Sequence, residues 1–117
     1  MKLRMLVLAA ALFATPAAAH HGWAAFSEAE SEVTGTVVSA ELGAPHGELK
    51  VRAADGIWNV QLAPPAAIVR SGLTMEAIPA GTKITARGHK RVDGTLEIKT
   101  ERLVVGDRTY DLYPARP

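Results

Sequence analysis

Leu49-Lys50-Val51-Arg52-Ala53-Ala54-Asp55-Gly56-Ile57-Trp58-Asn59-Val60-Gln61-Leu62 alternates apolar and polar side chains on both sides of one Asp-Gly pair. A period of two is that of a strand with one face buried, and Asp-Gly supplies the positive φ angles of a tight hairpin turn. The segment therefore reads as two antiparallel strands, with Val51, Trp58, Val60 and Leu62 on the buried side.

The same pattern recurs further along the chain. Asp93-Gly94 separates Lys83-Ile84-Thr85-Ala86-Arg87 from Leu96-Glu97-Ile98-Lys99-Thr100, and Gly106-Asp107 separates Leu103-Val104-Val105 from Thr109-Tyr110-Asp111-Leu112. Upstream, the β-branched run Glu32 to Leu42 predicts a long first strand, bent at Gly35 because glycine inside a strand marks a bulge or tight bend. Between the third and fourth strands, Pro64-Pro65-Ala66-Ala67-Ile68-Val69-Arg70-Ser71-Gly72 begins with proline and ends with glycine, as a short helix does. A second helical turn is expected at Thr74 to Ala77.

Three strands, a helix, two strands and a closing strand is the element order of the OB-fold, a partly open Greek-key barrel. The expectation is thus a mainly β, five- to six-stranded OB-like barrel with one short helix between strands 3 and 4. Another small barrel or a two-sheet sandwich remains the alternative, because hairpins alone do not fix how a sheet closes.

The beginning of the chain reads differently. Lys2 and Arg4 precede an apolar stretch from Met5 to Phe13, followed by Thr15-Pro16 and Ala17-Ala18-Ala19. That is the charged, apolar and small-residue order of a secretory signal peptide, too short for a permanent membrane helix. Residues 1–19 are expected to be removed, leaving one domain at 20–117 in the periplasm, with no stable membrane insertion. The chain has no cysteine, which excludes a lipid-modified cysteine and any disulfide framework. Of 13 basic side chains, removal of Lys2 and Arg4 leaves 11 against 12 acidic ones. A nearly neutral domain lacks the field that non-specific nucleic-acid or anionic-membrane binding needs, so neither is an expected partner.

The residues best suited to chemistry are histidines. His20 and His21 sit at the expected cleavage point, His46 lies in the Gly43-Ala44-Pro45-His46-Gly47 loop, and His89 follows Gly88. Cleavage after Ala19 gives His20 a free amine beside its own ring nitrogen, a chelate that a mid-chain histidine cannot form. Cleavage one residue earlier gives Ala19-His20-His21, whose amine, amides and imidazole suit square-planar Cu(II) or Ni(II). His20, His21 and His46 are therefore the candidate metal ligands, with Cu(II) first and Zn(II) second. The competing reading is a polar disordered start and a solvated loop histidine. His89, flanked by Lys90 and Arg91, reads as a surface residue.

Trp23 and Phe26 follow the histidine pair, and aromatics so near a terminus suggest a segment that packs back on the barrel and fixes the histidines in place. An exposed contact patch for a partner is the alternative. Lys50, Arg52, Lys83, Arg87 and Lys99 occupy the polar phase of their strands. They form either a solvated exterior or a face for an anionic ligand. Glu28, Glu30 and Glu32 read as a solvated lead-in that could also lend a carboxylate to a metal. No Gly-x-Ser-x-Gly elbow, cysteine nucleophile, His-Glu-x-x-His helix or phosphate-cradling loop is present, so no catalytic residue is expected.

The ordered set His20-His21-Gly22-Trp23-Ala24-Ala25-Phe26, Val33-Thr34-Gly35-Thr36-Val37, Pro45-His46, Leu62-Ala63-Pro64-Pro65 and Arg70-Ser71-Gly72-Leu73 resembles the exported bacterial proteins grouped as the domain of unknown function numbered 6152. The family pattern has Asn-Pro-His where this chain has Ala44-Pro45-His46. The resemblance implies a periplasmic OB-like domain and links His20, His21 and His46, but it assigns no activity. The combined expectation is a small periplasmic binding protein that captures, delivers or senses a transition metal ion. The alternative is a module that binds a protein or an oligosaccharide on the barrel face.

Overall fold

The computed structural model describes residues 22–116. Six strands form one sheet: β1 (Ser31–Glu41), β2 (Glu48–Ala53), β3 (Gly56–Gln61), β4 (Lys83–Lys90), β5 (Glu97–Val105) and β6 (Arg108–Asp111). Their order is β3-β2-β1-β4-β5-β6, and a parallel pairing of β3 with β5 closes the first five into a barrel. The expected OB-like barrel is present. Closure comes from β3 against β5, whereas β6, expected as the closing strand, lies against the second half of β5.

β1 makes this geometry possible by serving two neighbours in turn. Its first half, Ser31 to Thr36, pairs with β4, and Thr36 to Glu41 pairs with β2. The register slips between Val37 and Ser39, so the bulge is at Val38 and not at Gly35. Gly35 has another task, because a Cβ there would run into the backbone carbonyl of Arg52.

The helical connection follows its sequence signals. α1 (Pro65–Ser71) starts on proline and ends at Gly72, whose φ of 86° is left-handed and whose N–H bonds to Val69 O. A single 3-10 turn, Met75–Ala77, follows. Ile68 points from α1 into the core and lies against Gly47, where an added Cβ would be 2.7 Å from its Cδ1. Gly47 also exchanges backbone hydrogen bonds with Ala63 O and Leu62 N. The loop carrying His46 is thereby pinned to the start of the helical connection.

The core inside the barrel contains Val37, Leu49, Val51, Val60, Leu62, Ile98, Leu103 and Leu112, each 2% exposed or less, with Trp58 at 4%. Trp58 keeps its polar atom satisfied by donating from Nε1 to Asp55 Oδ1 at 2.7 Å. The strand turn at Asp93-Gly94 is also tied down. Asp93 accepts the Thr95 amide and the Arg91 guanidinium, which together pull its carboxyl down to about 2.

Two runs expected as separate strands, Leu96 to Thr100 and Leu103 to Val105, are one strand. A second bulge joins them: Gly88 pairs with Thr100 and Arg87 with Arg102, leaving Glu101 as the extra residue. Interior positions step from Ile98 and Thr100 to Leu103 across it, so the bulge shifts the alternation by one. At this point β4 passes so close to β5 that a Cβ on Gly88 would overlap the Lys99 carbonyl.

Gly88→Ala is expected to destabilise the domain by about 2 kcal/mol or more, the scale of forced overpacking. Gly94→Ala meets open space but needs a φ of 84°, and should cost only about 1 kcal/mol. Urea denaturation of both variants tests the difference. Equal midpoints would contradict the close approach at Gly88.

Candidate functional site: a buried charge cluster beneath the N-terminal strap

At the second bulge Glu101 lies on the outside of the barrel, in phase with Lys99 and opposite to Ile98 and Thr100. Such a position is ordinarily wet, yet Glu101 is 1% exposed, Lys99 7% and His89 8%. The cover is supplied by residues 22–27, which lie along the end of β4. Ser27 N–H donates to Lys90 O at 2.7 Å, Val92 N–H to Ala25 O at 3.0 Å, and Phe26 forms a bridge with Arg91.

Trp23 is the centre of this strap. The Lys99 ammonium is 4.5 Å from the indole ring centroid and the Arg116 guanidinium carbon 3.8 Å from it. His89 and Tyr113 meet the ring edge-on at 5.7 and 5.1 Å. Cations near the electron-rich face of indole attract it, more so where water is displaced. The expectation that Trp23 and Phe26 pack back on the barrel holds, and cation–π contacts add to the burial of the two rings.

Beneath the ring, Glu101 gathers the cations. Its Oε1 accepts hydrogen bonds from His89 Nε2 at 2.6 Å and Arg116 Nε at 2.9 Å, with Arg102 Nη1 3.4 Å from Oε2. Burial pushes the Glu101 carboxyl upward, but the bonds from Arg116 and His89 outweigh it and hold the group below its ordinary value. Burial, with Arg116 nearby, pulls the Lys99 ammonium down, and burial pushes the Tyr113 hydroxyl up. Arg102 also donates to Arg116 O at 2.8 Å, and Leu112 N–H donates to Glu101 O. The C-terminal tail thus reaches this carboxylate through Arg116, and the N-terminal strap meets its partners His89 and Arg116.

His89 is therefore not the surface residue expected from its charged neighbours. Its Nδ1 is 2.8 Å from Ser27 O and its Nε2 faces Glu101. A carbonyl and an ionised carboxylate both only accept, so the two contacts together require a proton on each ring nitrogen. No lone pair is left for base chemistry or metal ligation. Lys99 departs equally from the solvated exterior expected of it. Its ammonium donates to Gly22 O at 2.7 Å. Of the other basic residues, Lys50, Arg52 and Lys83 are exposed, while Arg87 faces Glu30 and Glu32 at 3.4 and 3.2 Å. Those two carboxylates are engaged by Arg87.

His46 is half-buried. Its Nε2 is 2.8 Å from Gln61 Nε2, an amide that can only donate, so the ring accepts there. Its Nδ1 is 3.4 Å from Gly47 O and 3.9 Å from Glu48 Oε1, at the edge of a cavity of about 200 Å³ lined also by Glu41, Ala44 and Pro45. His20 and His21 lie outside the described residues. Among the described residues, no group of three or more His, Asp or Glu side chains is arranged to hold a metal ion. Gln61 is the register partner of Lys99 in the β3–β5 pairing, so His46 and Gly22 are joined through two adjacent residues, Gln61 and Lys99.

Sequence reasoning missed Glu101, Arg116 and the role of His89. The usable trace was the polar phase of β5, where Lys99 and Glu101 stand two apart beside a strand containing histidine. Only a covering segment turns that phase into a buried cluster.

Glu101→Ala should cost about 3 kcal/mol, because it strands buried cations without their counter-charge. In the parent protein the stabilisation from Glu101 is complete above its ordinary value of 4.5 and is lost as pH falls through its lower folded value. Denaturation midpoints from neutral to acidic pH should therefore fall, with a shallower slope in Glu101→Gln. Parallel slopes would contradict the cluster's role.

No curated protein and no solved structure matches the chain. A family model described as a family of unknown function, DUF6152, matches residues 8–99, most of the chain. This barrel, with Trp23 clamped to its outer face, belongs to the DUF6152 family.

Proposed function

We propose that this protein is a periplasmic metal-ion binding protein, with Cu(II) preferred to Zn(II), whose ligands are His20, His21 and His46. Its role is capture, delivery or sensing of the ion. The observation that carries this reading is the link from Gly22 O to Lys99, across one strand to Gln61, and from Gln61 to the ring of His46.

Neighbouring strands are about 4.8 Å apart, and successive Cα atoms are 3.8 Å apart. With Gly22 anchored at Lys99 on β5, His21 and His20 are one and two residues in sequence from a fixed point on the strand next to β3, whose Gln61 bonds to His46. Imidazole and amine nitrogens suit Cu(II) and Zn(II), and affinity along the divalent series peaks at Cu(II). At His46 the ion would take a ring nitrogen, either Nε2 after displacing the Gln61 amide or Nδ1 on the side of Glu48. The charged, apolar and small-residue order of residues 1–19 supports export and a new amino terminus at His20.

The test is calorimetric titration of Cu(II) and Zn(II) into protein exported and processed by cells, after its mature mass is recorded. Stoichiometric binding weakened at least tenfold by His46→Ala, roughly the scale of losing one contributor to a metal site, is expected. Binding that is indifferent to His46 would reduce the site to a terminal chelate. Absence of binding by the processed protein would overturn the reading.

A further inference from the structure

We propose that docking of the Gly22–Ser27 strap is proton-linked through His89, so that the strap is held at acidic to neutral pH and released as pH rises. The linkage follows from donor and acceptor arithmetic at one ring. Ser27 O at 2.8 Å and Glu101 Oε1 at 2.6 Å both require a proton from His89. A neutral ring carries only one. If Nδ1 keeps it, the Nε2 lone pair faces the carboxylate; if Nε2 keeps it, another lone pair faces the Ser27 carbonyl. Either way a contact beneath the strap is lost.

The other groups around His89 set the direction. From β5, Glu101 favours the imidazolium, while Lys99, its register partner, opposes it. From the tail, Arg116 shares Glu101 Oε1 with it, and Tyr113 meets the same Trp23 ring. The strap presents the Ser27 carbonyl and the Trp23 ring. On its own strand Arg87 and Lys90 are turned to Glu30 with Glu32 and to the Trp58 ring, and just past its end Arg91 is held by Asp93 and Glu97 and lies over the Phe26 ring. The strap's own acceptor at the ring is the Ser27 carbonyl, so docking and protonation favour each other. By linkage, docking weakens when the proton leaves. Lys99 acts in the same direction at higher pH, because loss of its proton removes the cation that holds Gly22 O and Trp23.

The docking inference stands on the cluster alone.

The test is amide hydrogen exchange of the processed, metal-free protein from about pH 5 to about pH 9, corrected for the intrinsic rate. Phe26, Ser27 and Val92 report the strap, and Val51 and Val60 report the barrel. Strap protection should fall by about tenfold or more as pH rises, the scale of one charge-assisted hydrogen bond, with the barrel unchanged. His89→Gln should flatten the dependence. A pH-independent strap, or an unchanged slope in His89→Gln, overturns the proposal. Should that variant fail to fold, nitrogen NMR of His89 in the parent protein decides: two bound protons while the strap is docked at acidic pH are expected, and one overturns it. A Cu(II) titration of the same sample keeps the two readings apart. Failure to bind copper overturns the metal reading only, whereas intact copper binding with a pH-independent strap overturns the linkage only.

Discussion

A carboxylate buried on the outside of a β-barrel is the constraint on which the arrangement of both termini depends. Taking Glu101 out of water costs several kcal/mol unless its oxygens are bonded and its charge is balanced. Part of that bonding and balance comes from the barrel itself, through Arg102 on β5 and His89 on β4. Arg116 from the tail completes it, and Trp23 from the strap excludes the solvent that would otherwise weaken every one of these contacts. The tail bonds to this charge through Arg116, and the strap covers the cations gathered around it.

The barrel follows a separate logic. Its core is aliphatic, closed by the short parallel pairing of β3 with β5, and it needs no disulfide. Two bulges, at Val38 and Glu101, bend strands that would otherwise lie flat. Glycines stand where the strands then approach too closely for any side chain, at Gly35 against Arg52 and at Gly88 against Lys99. The residue left over at the bulge in β5 is Glu101, the carboxylate to which the tail is bonded.

This division bears on what the protein can present to a ligand. Most strand cations are solvated or engaged by carboxylates, and His89 has no free lone pair. His46 is different, since it sits at a cavity edge with Nδ1 lightly engaged and a pinned loop behind it. A path through Gln61 and Lys99 links it to the start of the described chain. Anchoring by cation–π contacts and a buried ion pair also makes the strap more sensitive to charge than an apolar docking would be.

The sequence by itself determined the element order, the turns and the inward phase of each strand, because period-two alternation, Asp-Gly pairs and a proline-to-glycine helix act over a few residues. It also showed Trp23 and Phe26 to be placed for packing back on the barrel. Only the tertiary structure decided which strand closes the barrel, that Val38 and not Gly35 carries the first bulge, and that His89, Lys99 and Glu101 are buried. Those outcomes depend on partners far apart in sequence: Ser27 is 62 residues from His89, and Gly22 is 77 from Lys99. A polar residue on the outer phase of a strand reads as solvated whenever the local pattern is all there is to read. Its burial is settled by whatever segment the folded chain lays over it.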